Sequence, residues 1–150
     1  MRFANPFDGM IFMFSVDLLI LLLISAAIYF VLGAFWYSPV GFGKPWMRSV
    51  GLTKETMDPN HNMIKAMVVS YLVCLAQSFV IMMVISHLKV QLVIYSAVMG
   101  AIMALAFGLL SAVRSDTYIK RNMTQMSIDH GYDIAGGAII AGFVTWWLGA

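Results

Sequence analysis

Charge is scarce in this sequence. Only 11% of its 150 residues are Asp, Glu, Lys or Arg, while 61% are hydrophobic. A soluble domain carries about 25% charged and roughly 45–50% apolar residues. Both departures point to a lipid bilayer as the main solvent. Cysteine is scarcer still, because Cys74 stands alone. A single cysteine forms neither an internal disulfide nor a CxxC pair, which excludes the four-helix thiol oxidoreductases of membranes. A formal net charge of +2 leaves no case for a nucleic-acid partner. No Asp, Glu, Lys, Arg or His falls in the middle of an apolar run, so the usual relay of an ion-coupled transporter is missing. The start of the chain makes a poor signal peptide, with one arginine offset by one aspartate before a long, aromatic-ended apolar run.

What is present is a sequence of long apolar runs with aromatic ends. The first closes on Gly33-Ala34-Phe35-Trp36-Tyr37-Ser38-Pro39. Pro39 cannot continue a helix and biases Ser38 away from one. Gly41 and Gly43 follow, then Lys44 and Trp46. That order describes a helix leaving the bilayer, with Trp36 and Tyr37 at headgroup level and Lys44 on the cytoplasmic side.

Four spans are predicted, over about 18–37, 63–85, 90–113 and 132–149, in one domain covering 17–150. Residues 1–16 read as an interfacial segment. Asp17 is placed to cap the first span. The 38–62 connection carries a short surface helix opening at Pro45 and closed by Gly51, and turn chemistry at Asp58-Pro59-Asn60. Ser86 to Lys89 reads as a tight turn. The polar stretch 115–128 reads as a surface loop or a short interfacial helix. The fold class is therefore all-α, an integral membrane four-helix bundle.

Topology follows from the basic residues. Lys44, Arg48, Lys54 and Lys65 lie in or beside the first connection, and Arg114, Lys120 and Arg121 in the third; Arg2 and Lys89 are left for the other side. By the positive-inside rule both longer connections face the cytoplasm and both termini face out. The same bias argues against dual-topology insertion.

Three stretches carry a family resemblance. They are residues 32–39 with Phe42-Gly43-Lys44-Pro45-Trp46-Met47, then Gly51-Leu52-Thr53, then Ile128-Asp129-His130-Gly131-Tyr132. Together they resemble an uncharacterised bacterial membrane family, domain of unknown function 1761. The resemblance covers roughly residues 17–150 and implies a four-span fold in the bacterial inner membrane. It implies no activity. Asp133 departs from the family pattern, which has His or an aromatic there.

Reactive groups gather in few places. Asp129, His130 and Asp133 fall within one helical turn, and Lys44, Lys65 and Arg114 belong at the same depth. This cytoplasmic polar cluster reads either as carboxylates favouring a helix N-terminus beside cations, or as a mouth for an anion, a headgroup or a metal. Ser70, Cys74, Gln77 and Ser78 make a faintly polar stripe on the second span, as interhelical hydrogen bonding or as the lining of a narrow pathway. Gly100, Ala104 and Gly108 on the third span, and Gly137, Ala141 and Gly142 on the fourth, form small faces for close helix packing. The 13 methionines serve as ordinary apolar filling before copper(I) ligation. His61, His87 and His130 all sit at helix ends, which does not suit haem held between spans. No cofactor and no metal are expected.

The reading is a non-enzymatic membrane protein, partnered by lipids and acting as a homo-oligomer or as an accessory subunit of a larger membrane complex. The alternatives are a small channel or carrier for a neutral or weakly anionic solute, lined by Ser70, Gln77 and Ser78, and an enzyme acting on a lipid headgroup through Asp129, His130 and Asp133.

Overall fold

The structure, a computed structural model, describes residues 16–53, 62–119 and 121–149, with the side chains of residues 114–117 and 119 outside that description. The interfacial segment expected over 1–16, save Val16, and the turn expected at Asp58-Pro59-Asn60 also lie outside it. Every regular element among the described residues is helical. Helix α1 is Val16–Trp36, α2 is Gly43–Ser49 and α3 is Met63–Leu88. Helix α4 runs through three consecutive parts, Val93–Met103, a π segment Ala104–Leu109, and Leu110–Ile119. Helix α5 is Met123–Gly149.

Three helices are long and apolar enough to cross a membrane: Val16–Trp36, Met63–Leu88 and Val93–Val113. The fourth long helix, α5, has 27 residues, but Asp129, Asp133 and several glycines dilute its apolar character. It is also the helix with the most buried positions, and it packs against α1, α2, α3 and α4. A helix enclosed by its neighbours needs less apolar surface than one facing lipid.

Several boundaries differ from those the sequence suggests. Helix α3 runs through the expected turn at 86–89 and stops only at Lys89, whose φ of 52° is left-handed. The stretch 115–128 is neither a loop nor a short helix of its own. It holds the end of α4 at Ile119 and the start of α5 at Met123. Asn122 starts α5, its side-chain oxygen accepting from the Thr124 N–H at 2.8 Å. Asn62 starts α3 likewise, accepting from the Lys65 N–H at 2.9 Å. Asp17 lies in the first turn of α1. In α2 Pro45 is the third residue rather than the first. Gly51 ends α2 at φ 71°, with the Gly51 N–H bonded to Arg48 O and the Leu52 N–H to Met47 O, a Schellman arrangement.

The core lies between α1, α3 and α5. Leu18, Leu21 and Tyr29 meet Cys74, Ile81, Met82 and Ile85, and both sets meet Ile140, Ala141 and Val144. Helix α4 supplies no large buried side chain to this core: its buried residues are Ser96 and Gly100, and Met99 packs against the core only partly buried. It is held by close backbone approach. A Cβ on Gly100 would come within 2.1 Å of the Gly137 carbonyl oxygen and 2.7 Å of the Ala141 Cβ. Small residues allow helices to approach this closely in lipid, where no hydrophobic drive pulls them together. Ser96 adds a buried hydrogen bond accepted from the Thr145 hydroxyl. Helices α3 and α4 follow each other in sequence but do not pack along their lengths. The space between them is a groove.

Candidate functional site

The loop after α1 is wound too tightly for side chains. A Cβ on Gly41 would fall 2.6 Å from the Phe35 and Trp36 carbonyl oxygens, and one on Gly43 would fall 2.2 Å from Tyr37 O. Ser38 holds the turn by accepting from the Gly41 N–H at 3.2 Å, and Pro39 stands exposed beside it. This winding carries three aromatic donors to the first half of α5. Trp36 Nε1 donates to Ile128 O at 3.0 Å. Tyr37 donates its hydroxyl to Asp129 Oδ1 at 2.9 Å, and Trp46 Nε1 donates to the same oxygen at 2.8 Å. The exit motif and the Ile128-Asp129-His130-Gly131-Tyr132 stretch, some ninety residues apart in sequence, are thus one structure.

Tyr132 stands at the centre of the ring cluster behind this contact. Its centroid is 5.2 Å from that of Tyr29, 5.7 Å from that of Tyr37 and 6.4 Å from that of Trp36. Its hydroxyl donates to Tyr29 O at 3.1 Å and lies 3.6 Å from Cys74 Sγ. Gly33 and Gly136 leave the room required. A Cβ on Gly33 would sit 3.1 Å from the Tyr132 oxygen, and one on Gly136 only 2.0 Å from the Tyr29 ring.

One turn beyond Asp129, Asp133 does something different. Its Oδ2 is 3.5 Å from His130 Nδ1, and it also faces α4 at Gly108, whose Cβ, were there one, would be 3.7 Å away. Asp133 lines the groove between α3 and α4, an open-sided space of about 420 Å³. Ala76, Gln77 and Val80 form its α3 wall. Phe107 and Gly108, from the π segment, form part of the other. Tyr29 and Gly137 lie on its floor beside Asp133. Short π segments inside helices often mark functional sites. This one sits where the carboxylate meets the groove.

The cytoplasmic polar cluster expected from sequence is therefore split. Asp129 is taken up by aromatic donors, and Asp133 and His130 pair at the groove. Lys44 and Lys65 are exposed on α2 and α3, and the Arg114 side chain lies outside the described residues. The carboxylates are not first-turn residues either, because α5 begins at Met123 and Asp133 comes about three turns in. The expected polar stripe divides as well. Ser70 is exposed, Cys74 and Ser78 are buried, and Gln77 borders the groove. Of the small-face residues, Gly100, Ala104, Gly137 and Ala141 meet each other between α4 and α5. Gly142 faces Val93 and Ala97, while Gly108 faces Asp133. Among the described residues no group of three or more His, Cys, Asp and Glu is arranged to hold a metal.

Little in the sequence marks Tyr29, Tyr132, Ser96 and Thr145 as site residues. Tyr132 sits in the third resemblance stretch, and that was its only signal. The other three are single polar atoms in apolar runs, with no period to announce them.

These features define an all-α protein with three helices able to cross a membrane, locked by an aromatic contact at one end and grooved on one side. The chain belongs to the family described as protein of unknown function (DUF1761), whose model matches residues 20–145. Comparison with curated proteins and with solved structures returns no match.

Proposed function

We propose that this chain is a non-enzymatic, four-span membrane protein that holds a small amphiphile in the groove between α3 and α4. The observation that carries the reading is the groove itself. It lies between two helices whose outer faces are apolar and exposed, and Asp133 and the Tyr29 side chain stand on its floor. Ligand sites are commonly apolar clefts with a few placed polar groups. A molecule dissolved in the bilayer reaches this cleft sideways, tail along Val80 and Phe107, polar end toward Asp133.

In this reading α5 is the fourth crossing, enclosed by the other three. The Trp46–Asp129 contact puts the α1–α3 connection and the first half of α5 at one end of the bundle. That agrees with placing both longer connections on one side, which the basic residues of those connections make the cytoplasmic one, with both termini outside and the chain in an inner membrane. The Gly100–Gly137 seam is used within the chain, which removes it as a subunit interface. A second reading keeps the homo-oligomer or accessory subunit. There a partner's helix fills the groove, and the exposure of Phe107, at 78%, favours it.

Native mass spectrometry of the protein released gently from its own membrane tests both. The first reading predicts a retained small-molecule mass on the wild type that is lost in Ala76→Trp, which fills the groove from the α3 wall. A bare chain in both would overturn it. A mass that includes a second polypeptide, displaced by the same substitution, would establish the partner reading instead.

A further inference from the structure

We infer that the groove selects a cationic amphiphile, one with an alkylammonium or similar head on an apolar tail; this rests on the groove being a ligand site. Three observations lead there. First, Asp133 is the one acidic or basic side chain among the described residues lining the groove; no Lys or Arg lines it. A single carboxylate in an apolar cleft attracts a cation strongly, because little water screens it. It repels a fatty acid, a sulfate or a phosphate.

Second, the carboxylate is reachable. The Asp133 side chain keeps 29% of its surface exposed, whereas the His130 side chain behind it keeps 10%. His130 approaches Oδ2 from within α5, and Gly108 leaves the other approach without a side chain. An alanine there would set its methyl 3.7 Å from Oδ2, in the path of an incoming head group.

Third, aromatic rings flank the position. Tyr29 lies on the floor and Phe107 on the α4 wall. Cations bind over aromatic faces, and more strongly when desolvated. Gln77, on the α3 wall, carries an amide whose oxygen can accept and whose nitrogen can donate. The one formal charge in the lining is negative, and the rings beside it suit a cation.

The test uses the full chain in phosphatidylcholine nanodiscs and three probes with one tail: dodecyltrimethylammonium, dodecanol and dodecyl sulfate, each below its micellar concentration. Equilibrium dialysis against empty nanodiscs removes the contribution of partitioning. The cation is expected to bind saturably and about tenfold or more tighter than the other two, the scale of one poorly screened charge contact. Asp133→Asn should abolish that preference while dodecanol binding stays. Gly108→Ala should weaken the cation most, and it decides the matter if Asp133→Asn does not fold. Equal binding of the three probes, or a preference that survives both substitutions, would overturn the charge selection. A small-molecule mass lost in Ala76→Trp would then still uphold the groove. If no probe binds and no such mass is found, both fall together.

Discussion

Trp46 donates its indole N–H to Asp129 Oδ1 at 2.8 Å across 83 residues of sequence. The contact fastens α2, a seven-residue helix, to α5, the helix that packs against all the others. Tyr37 shares the same oxygen. Because the two donors converge on one atom, their contributions are coupled.

Trp46→Phe and Tyr37→Phe should each lower stability by about 1–2 kcal/mol, the low side of a hydrogen bond to a charged group. The double substitution should cost more than the sum by about 0.5 kcal/mol or more, since the half-buried carboxylate then loses both partners. Thermal unfolding of the four proteins in nanodiscs reads this directly. Strict additivity would show that Asp129 has another donor of equal weight.

The α4–α5 seam makes a sharper contrast. Gly100→Ala places a methyl against the Gly137 backbone, where only a helix shift gives relief. It should destabilise by about 1–3 kcal/mol or more, as overpacking does. Gly142→Ala meets its nearest neighbour at 3.5 Å, an ordinary contact, and should stay within about 0.5 kcal/mol of wild type. Two similar losses would mean the seam is looser than these distances say.

Much of that seam was legible beforehand, because Gly100, Ala104, Gly137 and Ala141 recur at a spacing that only close helix packing explains. The all-α class and the three helices long and apolar enough to cross a membrane were legible for the same kind of reason, the length and composition of apolar runs. Asp133 was not. Its depth depends on where α5 begins, and the polar run before it hid a start at Met123 that only the Asn122 cap marks. Trp36, Tyr37 and Trp46 read as bilayer anchors in sequence, but their donor atoms turn to α5. Composition places an aromatic near an interface and says nothing of where its N–H points. The π segment has no sequence period of its own, so neither it nor the groove it borders could be foreseen.

Ser96 and Thr145 form a buried pair whose worth is separable. Thr145→Val leaves the Ser96 hydroxyl without this partner and should cost about 1 kcal/mol, within the range for interhelical hydrogen bonds in membranes. Adding Ser96→Ala should restore most of the loss, because removing both partners is nearly neutral. Unfolding midpoints of the single and double variants check it. A double variant worse than the single would mean the Ser96 hydroxyl has a second role.

The proposed function puts a small molecule, and not a protein helix, in the groove. Phe107 is the place to ask, because it lines the groove and is largely exposed. A photoreactive benzoylphenylalanine at position 107, irradiated in intact cells, will couple to whatever lies there. The expected product is an adduct with the mass of a small amphiphile, absent when Ala76→Trp is introduced alongside it. A crosslink to a polypeptide, whether a second copy of this chain or another protein, would show that a protein helix fills the groove instead.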